Sequence, residues 1–380
     1  MRMTWDEASA RRLARNHLTD ATRIDDPARI AADLLGVHAQ VMSAAEVSIG
    51  LRSATLTRTD VRDALWGTRT LIKTRGPRGT VHLVATEDLP MWIGALSAMP
   101  KPRSPHPAHV RMSDEQTELV VAAIADAVVD AELTVDELTA AIVERTGSWA
   151  GDRVMEAFQD KWPRWRQAEA LATNRGAICF GPGRARRTTY TSPRRWLPGF
   201  CPAPADRALA ELVRRFLWAY GPATSGQFAR WLGAPAGWAA SVFAAQRDLE
   251  EVDFDGEPAW INAGDAGSGG GTATLRLLPY FDSYLIAGHP RAALFPGAAA
   301  DRALTGGQAG NIPAVLIDGR VGGIWHQRRS GRTVEVTVEA LARLTARQRR
   351  ELQVQAAHLG RVLDCTANLT VGRVDAGAHA

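Results

Sequence analysis

The fold is decided by the stretch Thr70-Leu71-Ile72-Lys73-Thr74-Arg75-Gly76-Pro77-Arg78-Gly79-Thr80-Val81-His82-Leu83-Val84. In this stretch two β-prone runs flank a Gly/Pro turn. This pattern predicts a β-hairpin. Helical patterns precede it at residues 4–16, from Pro27 onward, and at 59–66. The first opens with Thr4-Trp5-Asp6-Glu7, a capping box, and proline suits the first turn of the second. Helices followed by a hairpin form the winged-helix plan.

The same order of elements recurs twice. In the second set we predict helices from 113 and 134, a basic helix at 163–174, strands at 177–180 and 186–190, and a turn at 181–183. In the third set we predict helices at 205–220, 224–233 and 235–247, then a strand at 249–254 that turns at Asp255-Gly256. The second helix of this set should stop at a glycine, which is the usual residue just past a helix end.

The remainder of the chain is β-rich. We expect a glycine-rich linker at 264–272. After it we predict strands at 314–317, 320–327 and 333–338, with a basic turn at 328–332, and a final helix at 345–363. We therefore predict an α+β, mainly helical fold of three tandem winged-helix units with a C-terminal β-rich segment. The predicted domains are 1–110 (which contains His38 and Gln40), 111–200 (basic), 201–263 and 264–380.

The composition is that of a folded globular protein. With 380 residues the chain is long enough for two or three domains, at about 100–200 residues each. No window approaches the roughly 18–20 apolar residues of a membrane span, and the N-terminus lacks the apolar core of a signal peptide. Three widely spaced cysteines fit neither a disulfide framework nor a compact metal site. We expect a cytoplasmic monomer that needs no metal or cofactor and binds no membrane.

Basic residues are concentrated in one region. The formal net charge is only +4, but nine basic residues lie between Lys161 and Arg195 against one acid, Glu169, with aromatic residues among them. This composition predicts a phosphate-binding strip for nucleic acid. Only three of the basic residues in the chain are lysines. Arginine's planar fork matches phosphate, although a GC-rich genome would also enrich arginine without any chemical reason.

A second stretch, Asp33-Leu34-Leu35-Gly36-Val37-His38-Ala39-Gln40-Val41-Met42-Ser43, is an apolar run interrupted by His38 and Gln40. At a helix end or in a turn, these two side chains can converge on one water. A neutral imidazole can take a proton from that water, and a carboxamide can orient it. The simpler alternative is a histidine that is satisfied within the core.

Four segments in order resemble one family. They are 35–40, 74–76 with 79–84, 277–285 and 316–321. Together they resemble the AlkZ/YcaQ-like DNA glycosylases, a resemblance that covers nearly the whole chain. It implies three winged-helix units in a C-shape around duplex DNA. It also implies cleavage of the N-glycosidic bond of N7-alkylated guanine.

The catalytic motif of that family reads Gln-aliphatic-Gln or Gln-aliphatic-Asp, and the matching residues here are His38, Ala39 and Gln40. The His-aliphatic-Gln form resembles relatives associated with bulky DNA-alkylating natural products. It implies a monofunctional glycosylase for bulky N7-alkylguanine adducts and self-resistance to a trioxacarcin- or azinomycin-like compound. His38 is then the general base or water anchor, and Gln40 helps to orient the water. The motif contains no lysine, so we expect a water nucleophile and no Schiff base.

The predicted DNA contacts are arginines on hairpins and turns. They are Arg75 and Arg78 on the first hairpin, Arg184, Arg186 and Arg187 on the second, and Arg328, Arg329 and Arg332 on the C-terminal turn. As a set they predict strong salt dependence and little sequence preference, although any single one could simply be solvated. His82 and Asp282 are candidates for pocket or support. Asp282 could complement the cationic sugar or hold structure through hydrogen bonds, and we favour the structural role.

Two other functions are compatible with these features. A non-enzymatic winged-helix regulator would protect a defined DNA sequence, whereas a glycosylase would prefer lesions irrespective of sequence. The polar pair in an apolar run, away from the hairpins, argues against a regulator. A housekeeping glycosylase for small N7-alkylguanine lesions would differ from the first hypothesis only in the size of its pocket.

Overall fold

The structure, a computed structural model, describes residues 1–101, 104, 106–157, 160–185, 187–265, 267 and 274–375. Helices account for 45% and strands for 23% of the residues, so the chain has the mixed α and β content that we predicted. The helices are α1 (Trp5–Arg15), α2 (Pro27–Asp33), α3 (Met42–Gly50), α4 (Arg58–Trp66), α5 (Leu89–Ser97), α6 (Asp114–Ala127), α7 (Val135–Thr146), α8 (Glu169–Asn174), α9 (Ala205–Tyr220), α10 (Ser225–Leu232), α11 (Ala236–Ala244), α12 (Ser283–Ala287), α13 (Arg291–Leu294), α14 (Ala298–Ala303) and α15 (Ala346–Val362).

The strands are short in the first two thirds of the chain and longer near its end. They are β1 (Arg2–Met3), β2 (Val37–His38), β3 (Leu71–Arg75), β4 (Val81–Ala85), β5 (Leu133–Thr134), β6 (Arg153–Glu156), β7 (Lys161–Pro163), β8 (Cys179–Arg184), β9 (Arg187–Thr191), β10 (Leu249–Phe254), β11 (Glu257–Asn262), β12 (Leu275–Leu278), β13 (Ala314–Ile317), β14 (Arg320–Ser330), β15 (Thr333–Ala340) and β16 (Thr366–Val371).

Contacts divide the chain into two compact units. Unit 1 joins Met1–Thr68 to Val213–Ala380, and unit 2 is Arg69–Leu212. Unit 1 is discontinuous in part because β1 pairs in parallel with β10, a long-range contact that no local sequence pattern reveals. The four predicted domains are a finer division and stay a prediction.

Capping interactions begin several helices where the sequence predicts them. Thr4 and Glu7 form the capping box of α1, and Thr134 and Glu137 form that of α7. Gly233 takes the left-handed conformation (φ 83°) that ends α10. The bounds predicted for α9 are those observed. None of the helices in the described ranges has the length and apolar character needed to cross a membrane.

Unit 1 contains two sheets. The smaller has the order β1-β10-β11, and its hairpin turns at Asp255 and Gly256, which both have positive φ, as predicted for this dipeptide. The larger has the order β12-β13-β14-β15-β16. Its last pair, β15 and β16, runs in parallel across α15, which packs Leu352 and Leu359 against Val334 and Trp325 of the sheet. Strand β16 had no counterpart in the sequence prediction.

Unit 2 contains the hairpins β3–β4 and β8–β9, both predicted, and a further pair, β6–β7, that was not. The predicted basic helix at 163–174 is a 3-10 turn, Arg164–Ala168, followed by α8. Residues 181–183 were predicted to turn, but β8 continues through them to Arg184 with an irregular register. Glycine and proline are compatible with such a bulge at a strand end, and the chain reverses after Arg184.

The predicted basic turn at 328–332 is also partly wrong. Arg328 and Arg329 lie in the last residues of β14, and the chain turns after Ser330 at Gly331, which has φ 58°. Strand β14 is longer than the apolar pattern indicates because its polar end still pairs with β15.

Helices α3 and α5 were not predicted.

Candidate active site

The segment that carries His38 leaves α2 through a tight reversal. Leu35 and Gly36 both have positive φ, 51° and 89°. Their amides donate to the carbonyls of Ala32 (3.0 Å) and Ala31 (2.8 Å), the Schellman arrangement that closes a helix end. A side chain in this conformation costs about 1–2 kcal/mol, which the complete burial of Leu35 offsets. Strand β2 follows directly and ends at His38.

The imidazole of His38 is enclosed, with 7% of the residue exposed. The ring of Phe281 packs against it, with 4.4 Å between the ring centroids and 33° between the planes. Phe281 is itself held in a left-handed conformation (φ 57°), and its amide donates to the carbonyl of Gly310 (2.8 Å). An imidazole fixed in this way can offer one nitrogen to a water at a defined position, as a general base requires.

Gln40 lies two residues further, between β2 and the start of α3. Its side chain is exposed, whereas His38 is buried. The two predicted catalytic side chains therefore occupy one short connection that runs from the core to the surface of unit 1. A carboxamide at the solvent end of such a connection can hold a water that enters from outside.

Asp282, next to Phe281, is buried and fully engaged. Arg52, two residues after α3, donates to both of its oxygens at 2.8 Å, and Ser48 of α3 donates to Oδ2 at 2.9 Å. Asp282 also caps α12 by accepting from the amide of Tyr284 (3.0 Å). Both side chains of the ion pair have 0% exposure. These contacts leave the carboxylate directed at protein groups, which favours the structural role that we predicted for Asp282 over a contact to the sugar.

Ser283 also supports the segment that carries His38. Its hydroxyl donates to the carbonyl of Gly36 (3.1 Å), two residues before His38. Three consecutive residues, 281–283, thus contact the His38 ring, the helix that follows it and the turn that precedes it. Arg52, Ser48 and Ser283 were missed by sequence reasoning, because a buried arginine and two serines have no spacing that marks them as partners.

In unit 2, Arg75 is engaged with a buried carboxylate. Its guanidinium donates to Glu169 (2.5 Å) and to the carbonyl of Gly79 (2.8 Å). Arg166 and Tyr190 also donate to Glu169, each at 3.0 Å. Burial alone would raise the pKa of Glu169, but the charges and hydrogen bonds of the two arginines outweigh it and lower that pKa. The charge of Arg75 is therefore already balanced inside the protein.

His82, which we predicted as a pocket or support residue together with Asp282, lies in unit 2 and is buried on β4. Its Nδ1 donates to the carbonyl of Thr80 at 2.9 Å. Arg78 is exposed at the tip of the same hairpin, with φ 59°. The two predicted DNA contacts of the first hairpin thus both lie near its turn: Arg78 is exposed at the tip, and Arg75, at the end of β3, is paired with Glu169.

The predicted basic strip is largely neutralised in three dimensions. Arg184 pairs with Glu137, and Arg187 lies 3.6 Å from Asp136. Both acids belong to α7, which lies far from the strip in sequence. Other basic residues of the strip pair with Glu118, Glu132, Asp152 and Glu156. Arg186 lies outside the described residues.

Arg328, Arg329 and Arg332 are exposed at the end of the β14–β15 hairpin in unit 1. Arg329 donates to the carbonyl of Gly331 (3.2 Å). In the part of the chain that the structure describes, neither Arg328 nor Arg332 has a carboxylate within 4.0 Å. Within the same ranges, no three His, Cys, Asp or Glu side chains are arranged to hold a metal ion.

Comparisons with known proteins agree on one relationship. The family described as "DNA glycosylase AlkZ-like" matches residues 31–362. The "Interstrand DNA cross-link repair glycosylase" of Streptomyces sahachiroi is 32% identical over 343 residues, which is 86% of this chain and 88% of that protein. The solved structure of Streptomyces sahachiroi DNA glycosylase AlkZ matches with a TM-score of 0.82 at 25% identity, over 97% of this chain and 100% of the other.

Proposed function

The chain belongs to the AlkZ-like family of DNA glycosylases, and from this premise we propose that it hydrolyses the N-glycosidic bond of bulky N7-alkylguanine adducts in double-stranded DNA. His38 and Gln40 are the proposed catalytic residues. Membership of the family makes the chain an enzyme and sets aside the non-enzymatic regulator. The observation that carries the proposal is the placement of His38, buried against Phe281, two residues before an exposed Gln40.

The chemistry requires few groups. Alkylation at N7 leaves guanine cationic, so the bond between C1′ and N9 breaks with its electron pair moving to the base, which departs neutral. Water then forms the new bond to C1′ and loses a proton to an imidazole nitrogen of His38, leaving an abasic site. Gln40 holds the water by hydrogen bonds. A positioned base contributes roughly 10²–10⁴-fold, and correct positioning of the water adds to this.

The preference for bulky adducts rests on two observations. The relative from Streptomyces sahachiroi is named for the repair of interstrand cross-links, which are bulky lesions. The first residue of the catalytic motif is His38 instead of the glutamine expected from the family pattern. We propose that the physiological role is self-resistance to a genotoxic natural product of trioxacarcin or azinomycin type.

DNA binding in this proposal uses the helix-plus-hairpin sets as winged-helix units of a monomer. Exposed arginines at hairpin ends contact phosphates. These are Arg78, Arg328, Arg329 and Arg332, with Arg75, Arg184, Arg186 and Arg187 as further members of the predicted set. His82 and Asp282 support the structure around them.

A strand-cleavage assay tests the proposal. Duplexes that carry one N7-methylguanine or one bulky N7-guanine adduct are incubated with wild type, His38→Ala and Gln40→Ala, and alkali-labile breaks are counted under single-turnover conditions. We expect wild type to excise the bulky adduct, and His38→Ala to be slower by about 10²–10⁴-fold. The matched control is His109→Ala, which removes an exposed histidine of unit 2.

Each alternative has its own outcome. Excision of N7-methylguanine alone would identify a housekeeping glycosylase for small lesions. Full activity of His38→Ala would remove His38 from the mechanism. Borohydride trapping of a covalent protein–DNA complex would replace the water nucleophile by an amine.

A further inference from the structure

An open cavity of about 610 Å³ lies in unit 1, where β15 ends, α15 begins and β16 ends. Three of the residues that line it are arginines, Arg343, Arg349 and Arg373. We propose that this cavity binds a phosphate group of the DNA backbone. It would be an additional DNA contact, outside the His38 site and outside the arginines predicted from the sequence.

The walls of the cavity are fixed by the fold. Arg343 directly precedes Leu344, whose side chain is buried. Arg373 directly precedes Val374, which is buried and whose amide donates to Glu339 at 2.8 Å. Arg373 also pairs with Asp375 at 3.1 Å on the exposed rim. These anchors fix the backbone positions of two arginines before any ligand arrives, which reduces the ordering that binding requires.

Acids balance only part of the positive charge of the cavity, because Arg373 pairs with Asp375 while the other two lining arginines have no such partner among the described residues. Glu339 is its one acidic lining residue, and Arg302 donates to both of its oxygens at 2.9 and 2.7 Å. Hydrogen bonds from Arg302 lower the pKa of Glu339, so the carboxylate stays ionised and paired with Arg302. Among the described residues, no carboxylate lies within 4.0 Å of Arg343 or Arg349. Two guanidinium groups therefore face the cavity with their charge uncompensated.

The lining also indicates which phosphate fits. Val371 is 48% exposed at the rim, and Leu341 forms part of the wall. In the DNA backbone each phosphate is joined to a deoxyribose, which presents apolar carbons. A cavity with arginines beside exposed apolar carbons matches that alternation, since the guanidinium forks donate hydrogen bonds to the phosphate oxygens and the apolar carbons pack against the sugar. A free inorganic anion would make no contact with the apolar surface that contributes to binding.

The test compares two arginines on one helix. Arg349 faces the cavity, whereas Arg347, two residues away, pairs with Glu351 at 2.8 Å. The affinity of the full chain for an undamaged duplex is measured between 50 and 300 mM salt for wild type, Arg349→Ala, Arg347→Ala and a variant with Ala at 343, 349 and 373. Each lost phosphate contact should reduce the salt slope by about 0.9. We expect a reduction of about 1 to 3 in the triple variant, affinity roughly tenfold lower at 50 mM salt, and no change in Arg347→Ala.

The outcomes separate the proposal from its rivals. Equal slopes for Arg349→Ala and Arg347→Ala would show a general charge effect and overturn it. A wild-type slope in the triple variant, together with saturable binding of inorganic phosphate by the wild-type protein, would make the ligand a free anion and also overturn it. Replacing the three arginines by lysine should restore most of the slope. Undamaged DNA is used, so the result does not depend on the chemistry assigned to His38.

Discussion

Each unit of the molecule contains a buried carboxylate that is held by arginine, and the two differ in their access to solvent. Asp282 in unit 1 pairs with Arg52, and neither side chain is exposed. Glu169 in unit 2 pairs with Arg75 and Arg166, whose side chains are 22% and 17% exposed. The first cluster is sealed in the core beside the segment that carries His38. The second lies beneath a surface lined with charged residues.

This difference in exposure suits the two clusters to different roles: the Asp282 cluster holds structural elements in position, and the Glu169 cluster balances charge near the surface. A sealed ion pair fixes the elements that carry it, because moving either partner leaves a charge in a medium of low polarity. Arg52 follows α3 by two residues and Asp282 is the N-cap of α12, so their pairing ties together two elements that lie next to the His38 segment. In the Glu169 cluster the carboxylate is buried but both arginines reach the surface, so water and salt weaken these ion pairs more than the sealed pair.

The largest effect is expected for Arg52→Met. The substitution leaves Asp282 buried without its cation, and removal of one partner from such a pair costs about 3–5 kcal/mol. Urea unfolding followed by circular dichroism measures the loss in free energy of unfolding. The double variant Arg52→Met/Asp282→Asn should lose less than the sum of the single variants, because the uncompensated charge is gone. A loss below about 1 kcal/mol for Arg52→Met would mean that the cluster behaves like a surface pair.

Much of the fold could be predicted because its signals are local. The capping boxes at Thr4 and Thr134, and the turn at Asp255-Gly256, each depend on residues within four positions. The contacts that support the His38 segment could not be predicted in the same way. The contact between Ser48 and Asp282 joins residues 234 positions apart, so only the folded chain shows it.

The candidate site was predicted unevenly for the same reason. His38 and Gln40 stood out as polar side chains in an apolar run, and a resemblance to a family then gave them a role that remains a prediction. The basic strip was identified by counting charges along the chain. That count could not include the acids of α6 and α7 that pair with the strip in three dimensions. The net charge of a surface depends on which side chains meet in three dimensions. A count along the sequence therefore overestimates the positive charge of the strip.

An intermediate effect is expected for Glu169→Gln. Hydrogen bonds to charged groups contribute about 1.5–3 kcal/mol, so the variant should lose about this much stability at pH 7. The pKa of Glu169 is lowered from its ordinary 4.5 in the folded state. Its contribution is therefore complete above pH 4.5 and is lost as the pH falls through the folded-state pKa.

Urea unfolding of wild type and Glu169→Gln across pH 3 to 7 checks this sign. The difference in free energy of unfolding between the two proteins should narrow as the pH falls. The wild-type carboxyl then becomes protonated and no longer stabilises the fold more than the amide does. The surface pair of Arg145 with Asp126 offers a control, since Asp126→Asn should change stability by less than about 1 kcal/mol at any pH. A gap that widens toward pH 3 would contradict the lowered pKa.

The smallest effect on stability, and the sharpest contrast in DNA binding, is expected at the exposed arginines. Arg184 and Arg187 face the acids of α7, whereas Arg328 and Arg332 have no carboxylate within 4.0 Å among the described residues. A phosphate that approaches the first pair must displace a carboxylate, but one that approaches the second pair displaces only water and counterions. Alanine at 328 and 332 should therefore reduce the salt slope of binding to undamaged duplex by about 2, and alanine at 184 and 187 by less than 1. Both double variants should unfold within about 1 kcal/mol of wild type. Equal reductions would mean that DNA exchanges readily with the carboxylates of α7, and the predicted strip would then act as a phosphate-binding surface despite its internal ion pairs.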